Sequence, residues 1–113
     1  MKRLIVILSL FAAPVHAGQP IYVSMAECAG IFDALISQIS PSPRRARIEG
    51  AQENWANAAH AEAGRDVSTL ISEKSAHWLA KGPSVVYTEE FEDWAKYCRS
   101  LAKHKNLVIV PKK

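Results

Sequence analysis

SMAECAGIFDALISQIS, residues 24–40, carries the apolar spacing from which the fold class follows. Apolar side chains recur at Met25, Cys28, Phe32, Leu35 and Ile39, and Ala29, Ile31 and Ile36 widen the stripe. Steps of three and four place these residues on one face of an α-helix. Ser24-Met25-Ala26-Glu27 fits the S/T-x-x-E capping box, whose hydroxyl and carboxylate satisfy the free amides of a helix start. Pro41 disfavours helical geometry in the residue before it. A helix is therefore expected from Ser24 to about Ser40, with Cys28 on its core face.

The other cysteine, Cys98, falls in a second pattern of the same kind. Phe91, Trp94, Cys98 and Leu101 form a core stripe, with Ala95 and Ala102 beside it, and the helix is expected to open at or near Thr88. Glu89, Glu90, Glu92 and Asp93 then sit over the positive end of the helix dipole, and Arg99, Lys103, His104 and Lys105 crowd its negative end. At a rise of 1.5 Å per residue, Cys28 lies about 5 Å from the start of the first helix and Cys98 about 9 Å from the end of the last. Antiparallel helices bring the two nearly level. Parallel helices leave a mismatch near 10 Å, too far for the short Cα separation of a disulfide. A Cys28–Cys98 bridge is expected, closing a loop of about 70 residues and stabilising the fold by roughly 4 kcal/mol on the chain-entropy account. Two free buried thiols are the alternative.

Between these helices, Ser42-Pro43 is a natural start, since proline at the first helical position loses no hydrogen bond. Ile48, Ala51, Trp55 and Ala58 or Ala59 make the core stripe there. Gly64 can act as a left-handed cap, with Asp66 opening a third helix, or residues 43–81 can form one long helix. Val67, Leu70, Ile71, Trp78 and Leu79 mark the apolar side of the third segment, and Gly82-Pro83 stops it. Residues 84–87 read as a short β-prone connector. The fold class expected is all-α: a small up-down bundle of three to four helices with one disulfide and a short extended C-terminal tail.

The chain opens on Met1-Lys2-Arg3, two positive charges and no acid, followed by an apolar stretch of about 12 residues interrupted by Pro14. That is the layout of a secretory signal peptide, with cleavage expected after Ala17. The stretch is shorter than the roughly 20 residues of a membrane-spanning helix. Residues 1–17 are therefore read as a signal peptide and residues 18–113 as a single helical domain, periplasmic or secreted. Oxidising compartments are where paired cysteines persist as bridges. Loss of Lys2 and Arg3 leaves 12 basic residues against 11 acidic ones, a net charge of +1 that argues against a nucleic-acid partner.

Patterns that carry chemistry are sparse. Glu73 and His77 stand one helical turn apart, and Glu53, Asn57 and His60 share a face, but solvated helix surfaces account equally well for both. Bundle metal sites use paired Glu-x-x-His spacings, which do not occur here. A serine or cysteine placed beside a base, or a Gly-x-Ser-x-Gly turn, is also missing. Neither a cofactor nor a metal is expected, and the reading is non-enzymatic.

Three surfaces remain as candidates. Trp55, Trp78 and Trp94 stand on three different segments, either as a shared aromatic core or as the lining of a groove. Leu107, Val108, Ile109 and Val110 form an uninterrupted apolar run, expected to fold back over the bundle or to pair with residues 21–23. It could also offer an edge to a partner by strand addition, and the closing Pro111, Lys112 and Lys113 discourage uncontrolled pairing. Arg44, Arg45 and Arg47, in the stretch 41–47, form a basic loop able to meet an anionic surface. The functional expectation is an exported protein-binding module of accessory, inhibitor or immunity type, with another exported protein as partner. A carrier or sensor of a small apolar ligand is the second expectation, and membrane-surface binding the third.

Overall fold

The computed structural model describes residues 19–110. The expected signal peptide, its cut after Ala17, and Pro111, Lys112 and Lys113 lie outside the described residues. Among the described residues there are four α-helices: α1 (Ile21–Ile36), α2 (Pro43–Ala63), α3 (Ser68–Ala80) and α4 (Glu89–His104). A 3-10 turn, Pro83–Tyr87, links α3 to α4, and there is no strand among the described residues. The fold is an all-α bundle with one disulfide: Cys28 and Cys98 are bonded, with their Cα atoms 5.9 Å apart.

α1 is the central helix. Every residue from Ser24 to Ile31 is buried, because α2, α3 and α4 all pack against α1, whereas α2 and α3 touch each other little. A helix covered on all sides has no polar face to show. This placement overturns the capping-box reading. The helix starts three residues earlier, with Pro20 as its N-cap, and Ser24 and Glu27 lie inside it as buried polar groups. Ser24 accepts a hydrogen bond from the Gln19 side chain at 3.1 Å, and Glu27 accepts one from the Trp78 indole. The helix also ends earlier than Pro41 requires, at Ile36, where the Ser37 hydroxyl donates back to the Ala34 carbonyl at 2.8 Å.

α2 opens as expected: the Ser42 hydroxyl accepts the Arg45 amide at 3.1 Å, with Pro43 at the first helical position. Gly64 resolves the choice between one helix and two. Its φ of 73° is the left-handed conformation that glycine adopts without a Cβ penalty, and the amides of Gly64 and Arg65 both fold back onto the His60 carbonyl. Asp66 then accepts both the amide and the hydroxyl of Ser68, at 2.8 and 2.6 Å, while His60 Nδ1 accepts the Val67 amide at 3.0 Å. The free donors at the start of α3 are thus met from two sides.

α3 departs from its expected stripe. Leu79 is 41% exposed and Ser75 is buried. Ser75 is buried at the crossing with Gly30 on α1, where a Cβ would lie 2.6 Å from Lys74 Cβ and 2.9 Å from the Ser75 amide nitrogen. The two backbones meet so closely that only small residues fit the crossing. The β-prone connector is a 3-10 turn instead, because Gly82 at φ 86° and Pro83 at its first position start a tight coil that buries Val85. α4 begins on Thr88, whose hydroxyl accepts the Phe91 amide at 3.2 Å.

The direction of α4 follows from two contacts at one end of the bundle. Arg65, just past the end of α2, donates to the Tyr22 hydroxyl at the start of α1, at 3.0 Å. Lys105, at the end of α4, pairs with Glu62, near the end of α2, at 3.5 Å. The end of α4 therefore lies where α1 begins, and these two helices are antiparallel. Cys28 stands roughly 10 Å from the start of α1 and Cys98 roughly 9 Å from the end of α4, nearly level.

Beyond α4 the chain turns through Asn106, at φ 57°, and the Leu107 amide returns to the Ala102 carbonyl at 2.8 Å. The tail crosses onto α2, where the Asn54 side-chain amide donates to the Ile109 carbonyl at 2.7 Å and the Ile109 side chain is buried. Pairing with residues 21–23 does not occur, because those residues are the first turn of α1.

Candidate functional site

The apolar residues of α1 are not all consumed by the core. Ile31, Phe32 and Leu35, in its last turns, line a groove of about 620 Å³. Trp55 of α2 lines it, as do Phe91, Ala95, Cys98 and Ala102 of α4 and Leu107, Ile109 and Val110 of the tail. Its charged members are Arg99 and Lys103, both exposed and four residues apart on α4. Its size falls in the range of ordinary ligand pockets, and its walls have the expected character, mostly apolar with a few polar groups.

The candidate residues are divided by this geometry. Trp55, 1% exposed, lines the groove. Trp78 lies elsewhere, bonded to Glu27 and meeting the Phe91 ring edge-on at 6.1 Å. Trp94 packs edge-on with Tyr97 at 5.4 Å. All three indoles are buried in one contiguous core, and they do not converge on one cavity. Of the tail, Leu107, Ile109 and Val110 reach the groove, whereas Val108 is 71% exposed and does not line it.

The basic stretch is mostly the opening turns of α2 and not a loop. Arg45 is held by Glu49 at 3.1 Å and by the Ile39 carbonyl at 3.1 Å, while Arg44 and Arg47 are exposed. The groove residues missed in the sequence are Arg99 and Lys103. Their charge was read as a match to the helix dipole, and nothing in a one-dimensional pattern places them beside Trp55.

A second cleft, of about 390 Å³, runs along α3 and is lined by Gln19 and Glu27 on the α1 side and by Glu90 and Trp94 of α4. Glu27, Glu73, Lys74, His77 and Glu90 make it polar. Lys74 pairs with Glu27 at 3.1 Å. Among the described residues no group of three or more His, Cys, Asp or Glu is placed to hold a metal ion. Asp66 stands at the start of α3. The hydroxyl and amide of Ser68 hold it below the usual carboxylate range, with a smaller contribution from His60.

No family model, curated protein or solved structure matches the chain. No helix among the described residues is long and apolar enough to cross a membrane.

Proposed function

We propose that the protein is an exported, non-enzymatic carrier or sensor that takes a small apolar ligand into the groove between α1, α2, α4 and the tail. One observation carries this reading: about 620 Å³ of space is walled by side chains from three helices and the tail, nearly all of them apolar. Folding ordinarily buries such surface, and leaving it open forgoes about 25 cal/mol for each Å². A site that gives up that stabilisation recovers it when a ligand covers the surface. Export is supported by the charged and apolar start of the chain and by a bridge that persists in oxidising compartments.

The test is titration of the exported protein with 1-N-phenylnaphthylamine, an uncharged apolar fluorophore. The expected result is saturable enhancement of its emission with quenching of Trp55. Ala95→Phe, which fills the groove from α4, is expected to remove the response while circular dichroism and melting show the fold retained. No enhancement with wild-type protein, or equal enhancement with folded A95F, contradicts the proposal.

A second reading is docking of another exported protein on the tail. Val108 and Val110 favour it, being 71% and 57% exposed on an extended segment. Cross-linking from cysteine placed at position 108 tests it: one discrete partner band supports docking, and none counts against it.

A further inference from the structure

The groove is elongated and charged on one side only. Phe91, Ala95, Cys98, Arg99, Ala102 and Lys103 all line it from α4, at spacings that follow one helical face for three turns. At 1.5 Å per residue that face runs for roughly 18 Å. A mostly apolar trough of that length suits a flexible chain better than a compact ring system. Among the described residues no acidic one lines it.

Arg99 and Lys103 are neighbours on this face. Among the described residues neither enters an ion pair; Arg44, Arg47 and Arg65 do not either, but none of those three lines the groove. The helix dipole accounts for Lys103, which stands in the last turn of α4. It does not account for Arg99, five residues before the end, since the effect fades beyond the last turn. Two unpaired cations beside an apolar trough complement a ligand with an anionic head.

We infer that the groove binds a monomeric single-chain amphiphile with an anionic head, its chain along α4 and its head between Arg99 and Lys103. This rests on the carrier reading above and adds the chemical class of the ligand. An acid head at that point meets two charge-assisted donors, which are stronger than neutral ones.

The experiment measures binding of decanoate and of decanol, matched in chain length, to wild-type protein and to the double variant Arg99→Gln, Lys103→Gln. Sedimentation with phosphatidylglycerol vesicles is a further arm. Decanoate is expected to bind wild type about tenfold more tightly than decanol, a difference of about 1.4 kcal/mol. The double variant is expected to lose that preference while keeping its affinity for decanol within about twofold, and high salt is expected to narrow the gap. Equal binding of both compounds, unaffected by the substitutions, overturns the inference and leaves the carrier reading standing. Binding of neither overturns both. Sedimentation with vesicles without binding of decanoate overturns the inference in favour of a membrane surface.

Discussion

Trp78 of α3 donates its indole N–H to the Glu27 carboxylate of α1, and Lys74, one turn before Trp78, closes on the other carboxylate oxygen at 3.1 Å. Asp33, further along α1, accepts the Ser75 hydroxyl at 2.7 Å. The central crossing of the bundle is thus a polar seam, with Gly30 at the point of closest approach. Among the described residues no buried side-chain nitrogen or oxygen lacks a hydrogen-bond partner, so the seam carries little of the penalty of unpaired polar groups.

Glu27→Ala should destabilise the protein by about 2–3 kcal/mol, because it leaves a buried indole donor unpaired and removes the partner of a largely covered ammonium. Glu27→Gln should cost less, since its amide oxygen can still accept from Trp78. Urea denaturation followed by tryptophan emission checks both. An E27A variant as stable as wild type would show that the seam contributes nothing to folding.

Gly30→Ala is expected to destabilise by about 1–3 kcal/mol, as other insertions into close-packed sites do. In an exposed helix the same change gains up to about 1 kcal/mol. The sign of the measured change therefore reports directly whether the backbones of α1 and α3 are in contact. A stabilised G30A protein would contradict that contact.

Reduction of Cys28–Cys98 should lower stability by about 4 kcal/mol. In a domain of this size that corresponds to a fall in Tm on the order of 20 °C. Thermal melts with and without reductant provide the comparison. α2 and α3 pack extensively on α1, whereas α4 meets α1 much more sparsely, so amide exchange is expected to rise first in α4.

Asp66 gives the stability a dependence on acid. Its folded pKa lies below the unfolded value, so its contribution is present above the ordinary carboxylate range and is lost as the pH falls through the lowered folded value. Asp66→Asn should flatten the stability profile in that acid window, measured as Tm against pH. An unchanged profile would remove Asp66 from the account.

Much of the fold was legible because its signals are local. Thr88, Ser42-Pro43, Gly64 and Gly82-Pro83 act through hydrogen bonds or dihedrals within a few residues, and each falls where the sequence puts it. Cys28 and Cys98 were legible as a pair, but their levels along the two helices do not by themselves fix the direction of α4. With α1 starting at Ile21, a parallel pairing would be out of level by only a few Å, and the Lys105–Glu62 and Arg65–Tyr22 contacts are what orient α4.

What failed did so for tertiary reasons. Ser24 and Glu27 match a capping box and are instead buried by helices that arrive from far along the chain. Ser75 is buried because it packs on a glycine 45 positions earlier, a contact no local pattern shows. The groove was hidden for the same cause: Phe32 and Leu35 lie in the apolar stripe, and only the placement of α4 and the tail leaves them partly uncovered.

An amide and indole chemical-shift map of the protein titrated with decanoate locates the ligand on the fold. The account predicts saturable shifts at Ile31, Leu35, Ala95, Ile109 and the Trp55 indole, with Trp78 and the polar cleft around Glu73 unmoved. Shifts centred on that polar cleft, or none at saturating ligand, would contradict it.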